Sequence, residues 1–127
     1  MRLVLPDVPV GLNGTKGLLR MGYRARSRYN KYWHQLVRSA AIPTGRPPRG
    51  KQMVFISQLR PRLLDPDNLA ASCKPILDAL VAWKLIKDDS EKYIVLRPAQ
   101  NRAKTKITVV MIEPAANYET AEEQDAN

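Results

Sequence analysis

Two rhythms of apolar residues divide this chain. "RLVL" at residues 2–5 and "KQMVFISQLR" at 51–60 are short, β-branched and apolar, and predict strands. "EKYIVLRP" at 91–98 and "KTKITVVMIEP" at 104–114 predict two more, with a hairpin across the polar "AQNRAK" as the simplest connection. Tyr29, Trp33, Leu36 and Val37 recur at helical spacing, predicting a helix over 28–40 with Ser27 as N-cap. Leu69, Cys73, Ile76, Leu77, Leu80 and Trp83 make a second apolar stripe, assigned to the core. Pro75 lies inside it, so that run is either a kinked helix or a turn followed by a helix starting near Pro75. The order strand, loop, helix, strand, helix, strand, strand predicts an α+β fold, a small mixed β-sheet with two main helices packed on it.

Composition bounds the reading. A chain of 127 residues, 44% hydrophobic, can bury one core. A single domain is expected over 1–113, with an acidic, disordered tail over 114–127. The one cysteine, Cys73, falls in the apolar pattern and reads as a buried structural thiol, which suits a reducing compartment. The first residues lack the apolar run of a signal peptide, and no stretch approaches a membrane span. A cytoplasmic protein without membrane contact is expected.

Charge sharpens the picture. Residues 1–64 carry thirteen Lys or Arg against one acid, Asp7, whereas 65–116 are nearly neutral. So basic a half implies a polyanionic partner, most simply nucleic acid. Arg20, Arg24, Arg26, Arg28 and Lys31 are the expected backbone contacts.

Against that background the acids stand out. "DPDN" places Asp65 and Asp67 at the head of the second helical run, and "LIKDDSEKY" places Asp88 and Asp89 just before a strand. Alone, Asp65 before Pro66 reads as a helix cap, and Asp88 and Asp89 as a solvated turn. Together they suggest more. On an unbroken helix Asp67, Lys74 and Asp78 would share one stripe. A strand running back beside that helix would bring Asp89 toward Asp65 and Asp67. Three converging carboxylates need a cation, and hard oxygen ligands suit Mg²⁺, with Mn²⁺ as the alternative. Zinc is disfavoured, because Cys73 and His34 are far apart in sequence; His34 reads as a surface or packing residue. Acids holding Mg²⁺ within a basic surface fit phosphodiester hydrolysis, with Lys74 stabilising the extra charge of the pentacovalent phosphate.

"DPDNL", "KPILDAL" and "LIKDDSEKY", followed by a closing strand, resemble the RusA family of Holliday-junction resolvases, common in phages and prophages. The resemblance covers about residues 51–112. It implies a small α+β homodimer that cuts a four-way DNA junction by paired nicks in strands of like polarity. Asp65, Asp67 and Asp89 would bind Mg²⁺, Lys74 would be the catalytic lysine, and Asn68, Asp78 and Asp88 would support them. One feature departs from the family pattern. The family lysine falls where this chain has Ala71, and the three extra residues before Lys74 would move it ~4.5 Å along a regular helix. The competing expectations are a non-catalytic basic nucleic-acid-binding protein and a nuclease for other branched DNA.

Overall fold

The computed structural model describes residues 1–13, 17–42 and 44–118. Its elements are β1 (Arg2–Leu5), a 3₁₀ turn (Leu18–Arg20), α1 (Tyr23–Ala40), β2 (Gln52–Arg60), α2 (Pro66–Ser72), α3 (Lys74–Ala82), β3 (Ile94–Arg102) and β4 (Ile107–Pro114). The architecture is α+β, with three helices and one mixed sheet of strand order β1-β4-β2-β3. β2 is the organising strand: it pairs parallel with β3 and antiparallel with β4.

That topology corrects the hairpin reading. β3 and β4 follow each other in the chain but are separated in the sheet by β2. The parallel ladder continues from Gln52↔Ile94 to Arg60↔Arg102, so "AQNR" extends β3 rather than turning. Only four residues, 103–106, then lead to β4.

Each strand has one face turned to the core. Leu3, Leu5, Val54, Ile56, Val110 and Ile112 pack against Trp33 and Val37 of α1 and Ile76, Ala79 and Leu80 of α3. Burying one such aliphatic side chain contributes about 1.5–3 kcal/mol. α2 lies on the same face, because Gln58 of β2 donates from Nε2 to Ser72 Oγ at 3.0 Å. The opposite face carries Val4, Phe55, Leu59, Val95, Ile107, Val109 and Met111, all partly or fully exposed. Tyr118 packs on Phe55 there, with ring centroids 5.6 Å apart.

The helices differ from expectation at two points. α1 begins at Tyr23, five residues before the expected start, and Gly22 rather than Ser27 is its N-cap, with no side-chain bond. The first turns are carried by Arg24, Ala25 and Arg26, good helix formers without an apolar stripe to mark them. In the second apolar run the reading of a helix starting near Pro75 holds, but a short helix rather than a turn precedes it. α2 ends at Ser72, Cys73 is the joint, and α3 starts at Lys74 with Pro75 in its first turn, where a missing N–H costs nothing. Asp67 therefore does not share an unbroken helix with Lys74 and Asp78.

Cys73 is fully buried, and burial pushes its thiol up to about 11. Beyond β4, Ala115 is buried and its N–H donates to Lys51 O at 2.8 Å, so the start of the tail is packed. The remainder of the expected disordered tail, 119–127, lies outside the described residues. Among the described residues, no helix is long and apolar enough to cross a membrane.

Candidate active site

α2 is started by its own sequence. The Asp65 carboxylate accepts from Asn68 N at 2.9 Å and from Asn68 Nδ2 at 2.7 Å, and Pro66 supplies the first helical residue. Those two hydrogen bonds hold the Asp65 carboxyl below its ordinary range. Asn68 also looks the other way, its Oδ1 accepting from Leu12 N at 3.3 Å. It thereby ties the loop after β1 to the head of α2. Asp67 lies exposed in the first turn.

Lys74 opens α3 at the joint between the helices. Its Nζ sits 3.0 Å from Asp78 Oδ1, one turn along, and donates to Asp89 Oδ2 at 2.5 Å. The loop before β3 thus returns to the helices, as the sequence suggested. The two carboxylates, Asp89 first, raise the Lys74 pKa, and Lys74 in turn lowers that of Asp89. At neutral pH this is an ammonium between two carboxylates. Lys74 is accordingly a fixed positive charge and a poor base. Asp88 is half-buried beside this pair.

The seven site residues read from the acidic segments are thus brought into parts. Lys74, Asp78 and Asp89 form one cluster, and Asp65 with Asn68 forms another. Among the described residues, no three His, Cys, Asp or Glu side chains are grouped closely enough to hold a metal ion. The donor chemistry, carboxylate oxygen, suits Mg²⁺ or Mn²⁺, but in this arrangement Asp89 is neutralised by Lys74.

A groove of about 590 Å³ runs beside Lys74, between the 3₁₀ turn and α1 on one side and α2 and α3 on the other. Leu12, Leu19, Arg26, Lys74 and Asp78 are among its walls. Arg26 is set there by a 2.7 Å hydrogen bond from Nη2 to Leu18 O. One arginine of the basic half therefore shares a groove with the Lys74 cluster. Arg20, Arg24, Arg28 and Lys31 are exposed on the same turn and helix.

Sequence reasoning missed the polar network behind α2. Arg60 Nη1 donates to Gln58 Oε1 at 2.6 Å, Gln58 Nε2 donates to Ser72 Oγ, and Ser72 Oγ donates to Leu69 O at 2.6 Å. All three residues are buried. The signal was present: Gln58 and Arg60 share the inward parity of Val54 and Ile56 along β2. His34 is half-buried, and its carbonyl accepts from Trp83 Nε1 at 2.9 Å.

No family model matches the chain, and no curated protein matches it.

Proposed function

We propose that the chain is a Mg²⁺-dependent, structure-selective endodeoxyribonuclease that resolves four-way DNA junctions as a homodimer. The observation that carries this reading is the Lys74 cluster. A cation framed by Asp78 and Asp89 opens onto a groove whose other wall holds Arg26, and the neighbouring Arg20, Arg24, Arg28 and Lys31 are exposed.

In this reading Asp65, Asp67 and Asp89, which are not grouped in this structure, would have to draw together to hold the divalent ion, with Mn²⁺ as the alternative, and that ion would supply Lewis acidity and an acidified water. Asp89 Oδ2 is engaged by Lys74, which leaves Oδ1 for the ion. Lys74, cationic throughout the neutral range, stabilises the charge gathering on phosphorus. Asn68 fixes the Asp65 carboxylate, and Asp78 and Asp89 fix the Lys74 ammonium. Arg20, Arg24, Arg26, Arg28 and Lys31 grip the phosphate backbone.

The open sheet face is the surface proposed to pair two copies. Its apolar side chains come from all four strands, and a two-fold axis lying along the strands would stack the patch on itself. Such an axis keeps the strand direction, so both copies of the β2–α2 turn would face the same end of the dimer. Two matched sites on one end suit two coordinated nicks.

The test is nicking of a labelled synthetic junction with Mg²⁺ or with EDTA, alongside forks and duplexes. Wild type should cut the junction only with the ion. Asp67→Asn should abolish cleavage while leaving junction binding intact or stronger. A second reading, a non-catalytic nucleic-acid-binding protein, is favoured by the capping role of Asp65. It is preferred if Asp67→Asn changes no measurable activity. Equal cutting of forks and junctions would instead select a nuclease for branched DNA in general.

A further inference from the structure

A second groove, beside the β2–α2 turn, is built around a buried arginine. Arg60 ends β2 with 8% of its surface exposed. Its Nε donates to Arg62 O at 2.9 Å, and its Nη1 donates to Pro9 O at 2.7 Å and to Gln58 Oε1 at 2.6 Å. These partners fix the plane of the guanidinium but bring no negative charge. The ion pairs among the described residues are both made by Lys74, so Arg60 has no carboxylate within reach. Both hydrogens on Nη2 lack an acceptor among the described residues. Among the described residues the sealed, partnerless side-chain donor is Trp33 Nε1 of the core and not Arg60 Nη2, so Nη2 keeps an opening to solvent.

Arg60 lines a groove of about 490 Å³ whose wall also includes Val10, Gly11, Arg62 and Lys106. Burying a guanidinium without a counter-charge is costly unless something anionic completes it. Desolvation lowers the Arg60 pKa, with Tyr29 acting against it and no carboxylate contributing. Arg62 and Lys106, both exposed, add two more positive charges at the rim. A planar fork, held rigid with two donors unspent, matches the paired oxygens of a phosphate.

We propose that this groove is a phosphate-binding subsite that holds one phosphodiester of a bound nucleic-acid strand. Arg60 Nη2 is the fixed donor, and Arg62 and Lys106 close on the same group. The proposal rests on the nucleic-acid reading above. It adds a contact in a groove walled by Leu63 and Leu64, just before Asp65, in addition to the Lys74 groove, so a strand would be anchored at two places around the α2 head. Inorganic phosphate shares the recognised chemistry and is the second source to separate.

The experiment uses the full chain, ¹⁵N-labelled, and follows the Arg60 Nε–Hε resonance, assigned by its loss in Arg60→Lys. Inorganic phosphate and a short DNA duplex are titrated separately, and duplex binding is also read by fluorescence anisotropy. The Arg62→Ala/Lys106→Ala double variant keeps the Arg62 carbonyl that Arg60 uses, so folding is undisturbed. The Arg60 resonance should move with both titrants. The double variant should bind duplex at least ~5-fold more weakly, with the log–log salt slope reduced by about 1–2. If duplex binds but the resonance stays still and the double variant binds like wild type, the subsite is overturned while the nucleic-acid reading stands. If phosphate moves the resonance and no DNA binds, the phosphodiester assignment falls together with that reading.

Discussion

Lys74 shows how a single residue ties chemistry to stability. Its ammonium is shared between Asp78 and Asp89; the two carboxylates raise the Lys74 pKa and Lys74 lowers that of Asp89, both in the direction that favours the charged pair. The pH limits follow from the two directions. The Asp89 pKa is depressed in the fold, so its stabilisation is present above the unfolded value near 4 and is lost as pH falls through the lower folded value. The Lys74 pKa is raised, so its stabilisation is present below about 10.4 and is lost as pH rises through the higher folded value. The Lys74 and Asp89 side chains are 61% and 26% exposed, so solvent screening limits the pair to about 1 kcal/mol at most. Asp89→Asn should therefore lower stability by a small, constant amount from about pH 5 to 9, and by less at about pH 3. Urea unfolding at several pH values measures this. A difference that instead changes steeply near neutral pH would assign the effect to some other titrating group. For catalysis, Lys74→Met should reduce cleavage by at least about 10²-fold, since a positioned charge is lost, while Lys74→Arg retains part of it.

At the scale of elements, α2 is where structural and functional demands meet on one side chain. Asp65 caps the helix and is also a proposed metal ligand, and substitution can separate the two duties. Asn at an N-cap is as good as Asp, whereas Ala is poor. Asp65→Asn should keep the melting temperature near that of wild type and still lose cleavage by at least about 10²-fold. Asp65→Ala should lose both. Thermal unfolding followed by circular dichroism, run beside the nicking assay, checks the pair; retained cleavage in Asp65→Asn would leave Asp65 with the cap alone. This cap was legible in the sequence because its signal is local: an acid, a proline, then an apolar run. The span of β1 and most of β2 were legible for the same reason. The start of α1 was not, because Arg24 and Arg26 extend the helix by propensity with no buried face to betray them. The pairing of β3 was not legible either, because whether it joins β4 or β2 depends on non-local ladders rather than on its own residues. The same division runs through the candidate site. The residues of each cluster were readable from their types, but the meeting of Lys74 with Asp89 needed the chain path from α3 into β3. The partnership of Asp65 with Asn68 was hidden behind a simple cap.

At the scale of the whole molecule, the outer sheet face is apolar at its centre and carries Arg2 and Arg97 among its exposed positions. The helical face carries exposed Arg24, Arg28 and Lys31 of α1, while the outer sheet face carries Val4, Phe55, Val109 and Met111. An open apolar face of this kind is a liability for a solitary chain. On β4, Val109 lies opposite Val4 of β1 on one side and Ser57 of β2 on the other, so its side chain stands well inside that face. A charge there should be tolerated by the monomer, since the position is only half-buried, but not by a stacked pair. Sedimentation of the wild type should therefore give twice the 14.4 kDa chain mass, and Val109→Asp should give the chain mass itself, with its circular dichroism unchanged. Junction affinity should fall at least ~10-fold in the variant, because two linked basic surfaces bind more tightly than one. Nicks should also become uncoupled, with singly cut junctions accumulating. A wild type that sediments as a monomer at all concentrations, yet cuts both strands together, would remove this face from the account and require the second site to come from elsewhere on the DNA-bound protein.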